Sequence, residues 1–186
     1  MNNLFSTNYP EKVHNGDVEL NTQKQVEEFG INNYTKINGN LTIRHFGKVR
    51  VDIVSLEALN SISFIENDLE ISYNEQLINV DGLNNLTSIG GILNIENDSN
   101  LENLKGFHNL TTIGGSLSIG GTSIRNFNGL ENLTNLGDGF FIAYNIQLTD
   151  FGSLQNLITN SNDSYLVYEN GYNPSKKDII NGNCSL

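Results

Sequence analysis

Two glutamates and one aromatic–aliphatic cluster are the side chains in this sequence whose spacing invites chemistry. Glu70 and Glu96 fall on neighbouring copies of a repeat and would face the same side of a sheet. Converging carboxylates serve polysaccharide lyases and hydrolases as acid and base. Here the pair stands one column apart, beside Arg44 and Ser72, and no further acid turns outward with it. His14, His45 and His108 fall in the N-terminal segment, the first coil and the back wall, without a Ser, Cys or Asp partner at a meaningful spacing. Cys184 is the one cysteine, so no intrachain disulfide forms. The sequence carries no phosphate-binding loop and no metal-ligand cluster. The expectation is a non-enzyme with no cofactor and no metal; a carbohydrate-active enzyme working through Glu70 and Glu96 is the least favoured reading.

The second candidate is a recognition surface. Projecting the repeat forward turns Ile142, Tyr144, Leu166 and Tyr168 outward together, with Phe140 two residues before Ile142. Exposed aromatics on a rigid sheet suit protein or glycan recognition, and tyrosines stack well on sugar rings. Arg44, Glu70 and Glu96 form a secondary polar face on the earlier copies. Two other fates of the aromatic cluster stay open: the C-terminal tail folds over it, or two copies of the chain dimerise through it as a structural or assembly subunit.

Both candidates depend on a repeat. Leu69, Leu93 and Leu117 each begin a Leu-x-Ile triplet closed by Ile71, Ile95 and Ile119, at spacings of 93 − 69 = 24 and 117 − 93 = 24. Behind the first triplet stand Leu77, Val80, Leu83, Leu86 and Ile89; behind the second, Leu101, Leu104, Phe107, Leu110 and Ile113; behind the third, Ile124, Phe127, Leu130, Leu133 and Leu136. A fixed period in this range marks a solenoid. Leu-x-Ile is a short strand with one buried face, and it buries that face only against the same triplet one coil away, roughly 4.8 Å distant. The back-wall residues recur every three positions, which suits 3₁₀-like turns better than a long helix. Adding 24 to Leu117 places Phe141 and Ala143 in the leucine and isoleucine columns, and a further 24 reaches Tyr165 and Val167. Upstream, Leu41-Thr42-Ile43 opens a longer coil backed by Leu56, Leu59 and Ile62.

Composition limits the partners. The 186 residues carry a net charge of −11 and a pI near 4.5, which argues against nucleic acid and anionic membranes. The basic cluster Arg44, His45, Lys48 and Arg50 is expected to pair with neighbouring carboxylates rather than grip a ligand. No apolar run approaches a membrane span, and residues 1–9 lack the pattern of a signal peptide. Asparagine is abundant at 32 residues, and it suits tight corners and stacked ladders. Eight Asn-x-Ser/Thr steps occur, and those at Asn85, Asn109 and Asn132 read as by-products of the repeat rather than glycan sites.

At the ends, residues 1–16 read as a loose N-terminal segment and 17–186 as one domain. Val18 and Leu20 alternate as a first strand, and Thr22 with Gln25 reads as a capping box opening a helix through Val26 and Phe29 to Gly30. Near the other end Ser175 caps a short helix in which Ile179 and Ile180 would close the last coil. A helix followed by Ile37-Asn38-Gly39-Asn40-Leu41-Thr42-Ile43, then coils of about 24 residues carrying Gly-Leu-x-x-Leu-x-x-Ile-Gly-Gly, resembles the receptor L domain over residues 17–170. That resemblance implies a mostly β solenoid: a right-handed, leucine-rich-repeat-like β-helix of about six coils, with an N-terminal helical cap and a short C-terminal cap helix. It also implies a ligand-binding or adhesion module at a cell surface or secreted, with a cytoplasmic protein as the alternative. The capping disulfides of the animal receptors are absent here, which favours the bacterial branch.

Overall fold

The computed structural model describes residues 10–45, 53–160 and 164–186. Among them the chain is mostly β, wound into two parallel sheets. The main sheet contains Val18–Leu20, Leu41–Arg44, Leu69–Ser72, Leu93–Glu96, Leu117–Gly120, Gly139–Ala143 and Ser164–Tyr168, stacked in chain order. Leu41 pairs with Leu69, Leu69 with Leu93 and Leu93 with Leu117, while Ile43, Ile71, Ile95 and Ile119 form the parallel column. All eight side chains are buried. Each short strand therefore finds its apolar partner on the neighbouring coil, as its length demands.

The back wall bends where its apolar spacing of three suggests. Single 3₁₀ turns at Glu57–Leu59, Asp81–Leu83, Lys105–Phe107 and Gly152–Leu154 bury Leu59, Leu83, Phe107 and Leu154. The coils touch so closely there that a Cβ on Gly106 would collide with the Val80 carbonyl, and one on Gly82 with the Leu56 carbonyl. Beyond this wall lies a second parallel sheet that the repeat pattern does not announce. It joins Val13–Asn15, Lys36–Asn38, Phe64–Ile65, Ser88–Ile89, Thr112–Ile113 and Asn135–Leu136. Val13–Asn15 corrects the expectation of a looseness reaching residue 16. His14 pairs with Ile37, and the Lys12 N–H donates to Thr35 Oγ1 at 3.0 Å, so the stack itself orders this end.

Helix α1 (Gln23–Gly30) starts where Thr22 accepts from the Gln25 N–H while Gln25 Oε1 accepts from the Asn21 N–H, a reciprocal cap. Val26 is buried beneath it and Phe29 packs at its margin, against His14 and Tyr34. Two more helices follow late in the chain, α2 (Gln155–Asn160) and α3 (Lys176–Ile180). Ser175 and Asp178 cap α3 reciprocally. The hydrogen bonds from Ser175 hold the Asp178 carboxyl below the ordinary carboxylate range. Ile179 is buried against the last coil; Ile180, one position on, faces out because consecutive helical residues lie about 100° apart.

Two polar ladders run through the corners. Asn74, Asp98, Thr122 and Asn145 are buried at the corner after the main strands and bond from coil to coil. At the back, the amide nitrogens of Asn85, Asn109 and Asn132 donate to the carbonyls of Asn60, Asn84 and His108 at 2.6, 2.7 and 2.7 Å. Three of the Asn-x-Thr steps thus use, to join coils, the nitrogen that would carry a glycan.

Leu104 is fully buried between coils that cannot close over a void, so Leu104→Ala is expected to lower unfolding free energy by about 2–5 kcal/mol in urea titration.

Candidate functional site

The outer face of the main sheet carries two columns of side chains. The first runs Glu19, Thr42, Glu70, Asn94, Ser118, Phe141, Leu166, each residue paired with the next. The second runs Arg44, Ser72, Glu96, Gly120, Ala143, Tyr168. Polarity changes along the stack: charged and amide side chains lie toward the N-terminal coils, aromatic and aliphatic ones toward the C-terminal coils.

The site residues read from the sequence divide accordingly. Leu166 and Tyr168 face outward, at 47% and 40% exposure, and Tyr144 reaches 60%. Phe140 and Ile142 do not belong to the surface; each is 1% exposed, paired with Leu117 and Ile119 inside the core. The outward residue is Phe141, at 42%. The cause is a coil of 140 − 117 = 23 residues where 24 were extrapolated. Six steps separate Ile95 from Leu101 in the preceding coil, and five separate Ile119 from Ile124. A slip of one residue exchanges the two faces of a strand. The signal was present in the third back wall, whose Phe127 and Leu130 follow Leu104 and Phe107 by 23. The next coil, 165 − 140 = 25, restores the extrapolated positions, because α2 takes up the added residues.

Tyr144 also stands one place from its expected column, which Ala143 fills. It occupies a corner in which Tyr73, Asn97, Gly121, Tyr144 and Glu169 all have left-handed backbone, with φ of 58°, 58°, 65°, 60° and 53°. From this corner its ring meets Tyr168 edge to face, centroids 5.4 Å apart. The Tyr168 phenol, through charge and then a hydrogen bond, raises the Tyr144 pKa above its ordinary value. The C-terminal tail leaves this cluster open. It packs elsewhere: Tyr165 donates to the Pro174 carbonyl at 2.9 Å, the Phe151 N–H donates to the Cys184 carbonyl at 2.8 Å, and Ser185 bridges to Asp150. Cys184 is buried there, and burial raises its thiol pKa.

Phe141 forms a ridge between two depressions. One, of about 380 Å³, has Ile92, Asn94, Ser116 and Ser118 along it and Glu70 toward its far end. The other, of about 210 Å³, lies over Gly120 between Glu96 and the Tyr144–Tyr168 pair. On the polar part, Glu70 sits 3.6 Å from the Arg44 guanidinium and accepts from Ser72 Oγ at 2.7 Å. Arg44 also lies over the Tyr73 ring, 5.0 Å from its centroid. Glu70 is thus neutralised in place, and Glu96 pairs with Ser72 in the other column rather than converging on it. Of the expected basic cluster, Lys48 and Arg50 lie outside the described residues. Among the described residues, no group of three His, Cys, Asp or Glu side chains could hold a metal ion, and no helix is long and apolar enough to cross a membrane.

Residues 63–119, the stretch that holds the Leu69 and Leu93 coils and the Leu117 strand, match the family model of the receptor L domain. Over that segment the chain is similar to the receptor L domain. No curated protein matches it. The matched segment ends in the strand that opens the shortened coil, so the aromatic part of the face lies beyond it.

The register has a direct chemical check. In the folded chain, Phe141→Cys is expected to react rapidly with a thiol reagent and Phe140→Cys to stay protected like Cys184; equal reactivity would place the two side chains differently.

Proposed function

We propose that this receptor L domain-like chain is a non-catalytic binding or adhesion module, secreted or displayed on a bacterial surface, that recognises a protein or glycan through the outer face of its main sheet. The same reading takes the solenoid as a β-helix of six coils, closed by α1 at one end and α3 at the other. One observation carries it: Phe141, Tyr144, Leu166 and Tyr168 stand exposed on adjacent strands of a rigid sheet, beside Ser118 and Glu96. Aromatic anchors bordered by polar groups are the common form of a recognition surface. Rigid aromatic rings also lose little conformational freedom when a ligand settles on them.

A second reading shares the same residues. Ser164–Tyr168 is the last strand of the main sheet, so Leu166 and Tyr168 lie beside an edge without a further strand among the described residues. Such an edge favours association of two copies. Sedimentation over a range of concentrations separates the readings, since a dimer dissociates on dilution and a ligand-binding monomer does not change.

Screened against glycans and surface proteins, the Tyr144→Ala/Tyr168→Ala variant is expected to bind any ligand of the native chain at least roughly tenfold more weakly, with unchanged melting. Unchanged affinity would remove the aromatic cluster from the site.

A further inference from the structure

The buried corner ladder contains one residue whose chemistry differs from its neighbours. At three rungs an asparagine amide nitrogen donates to the strand carbonyl of the coil before it: Asn74 to Ile43 at 3.0 Å, Asn145 to Ile119 at 3.0 Å, and Asn170 to Ile142 at 2.9 Å. The side-chain oxygen of the rung accepts the backbone N–H of the preceding rung, as in Asn145 from Thr122 at 3.1 Å and Asn170 from Asn145 at 3.1 Å. Asp98 keeps the second half of this pattern, since its Oδ1 accepts the Asn74 N–H at 2.6 Å. The first half requires a donor, and a carboxylate has none. The strand register places Ile71 at this rung where Ile43 and Ile119 stand at the others. Asp98 Oδ2 is enclosed and receives no hydrogen bond.

We propose that Asp98 is held in the folded chain as the neutral carboxylic acid, its Oδ2–H donating to the Ile71 carbonyl in place of an asparagine amide, so that rising pH loosens this corner of the solenoid. A buried carboxylate oxygen that no donor reaches is disfavoured in the charged form and satisfied by a proton of its own. Burial raises the Asp98 pKa from 3.8 to about 7, while the hydrogen bonds from the Asn74 backbone and side chain pull the other way and are outweighed. The ladder neighbours Asn74 and Thr122 do not titrate. The charged or titratable side chains around the corner are Arg44, His45 and Tyr73 on the preceding coils, Glu75 after Asn74, and Glu96 at the end of the strand before Asp98; none is a cause of the shift.

The direction follows from linkage. Below 3.8 both folded and unfolded chains hold the proton. Between 3.8 and about 7 the unfolded chain has released it and the folded chain keeps it, so stability falls as pH rises through this window and levels off above it. The carboxylic acid is thus a conditional asparagine, complete in mildly acidic surroundings and lost in alkaline ones. The corner it holds carries Tyr73 and Glu96, at the margin of the outer face.

Asp98→Asn supplies the amide permanently and separates this idea from general charge repulsion. Between pH 5 and pH 8 the melting temperature of the native chain is expected to fall by about 5–10 °C more than that of Asp98→Asn, with the variant at least as stable at pH 8. A carbon-13 titration of the native Asp98 carboxyl, which needs no variant to fold, is expected to show a midpoint well above the ordinary carboxylate range. Equal pH dependence in both proteins, or an Asp98 midpoint near 4, would overturn the proposal.

Discussion

Parallel, in-register stacking of three- to five-residue strands is the constraint from which the rest of this molecule follows. No single Leu-x-Ile strand has enough apolar surface to be stable, so each coil depends on the two beside it. That dependence explains why inward positions hardly vary along the stack. It also explains why changes in coil length fall outside the inward strand positions. The coil from Leu117 is one residue short and the coil from Phe140 is one long, yet every inward strand residue still meets its column. Adjustment occurs in loops and in α2, where the chain is not held on both sides.

Polar groups inside such a stack must be satisfied between coils, because a coil has no interior of its own in which to pair them. The corner ladder does this with asparagine, which presents a donor and an acceptor in one plane and so bonds a carbonyl and an N–H of the coil before it. The back-wall ladder does the same for a single carbonyl per coil. The abundance of asparagine therefore has a structural share in both corners. It also shows why aspartate at position 98 is the exception that needs a proton: its shape fits the ladder and its hydrogen count does not.

Much of this was legible in the sequence. The Leu and Ile columns, the 3₁₀ back wall and the caps of α1 and α3 follow from spacing and local chemistry and stand where expected. The second sheet was not legible, since two-residue strands such as Ser88–Ile89 have no period to detect. Nor was the first strand Val13–Asn15, which acquires its conformation from pairing with Lys36–Asn38. The candidate site was half legible. Tyr144, Leu166 and Tyr168 are exposed, but extrapolating a period of 24 across a 23-residue coil put Phe140 and Ile142 outside and Phe141 inside. A period read from inward residues carries no information about where an insertion or deletion falls until the next inward residue appears.

The outer face answers to different rules, and Tyr144 shows it. Its corner demands a left-handed backbone, which Gly121 meets without strain and Asn97 with little. A bulky residue in that conformation costs on the order of 1 kcal/mol or more. Folding would be served better by glycine at position 144, and nothing inside the stack needs the ring. Tyr73 bears the same strain at the polar end, where its ring lies under Arg44. The two tyrosines thus stand on the polar and the apolar parts of the graded face, each at a left-handed corner position of its coil. What each adds is side-chain surface directed outward, set by a backbone too constrained to move with it.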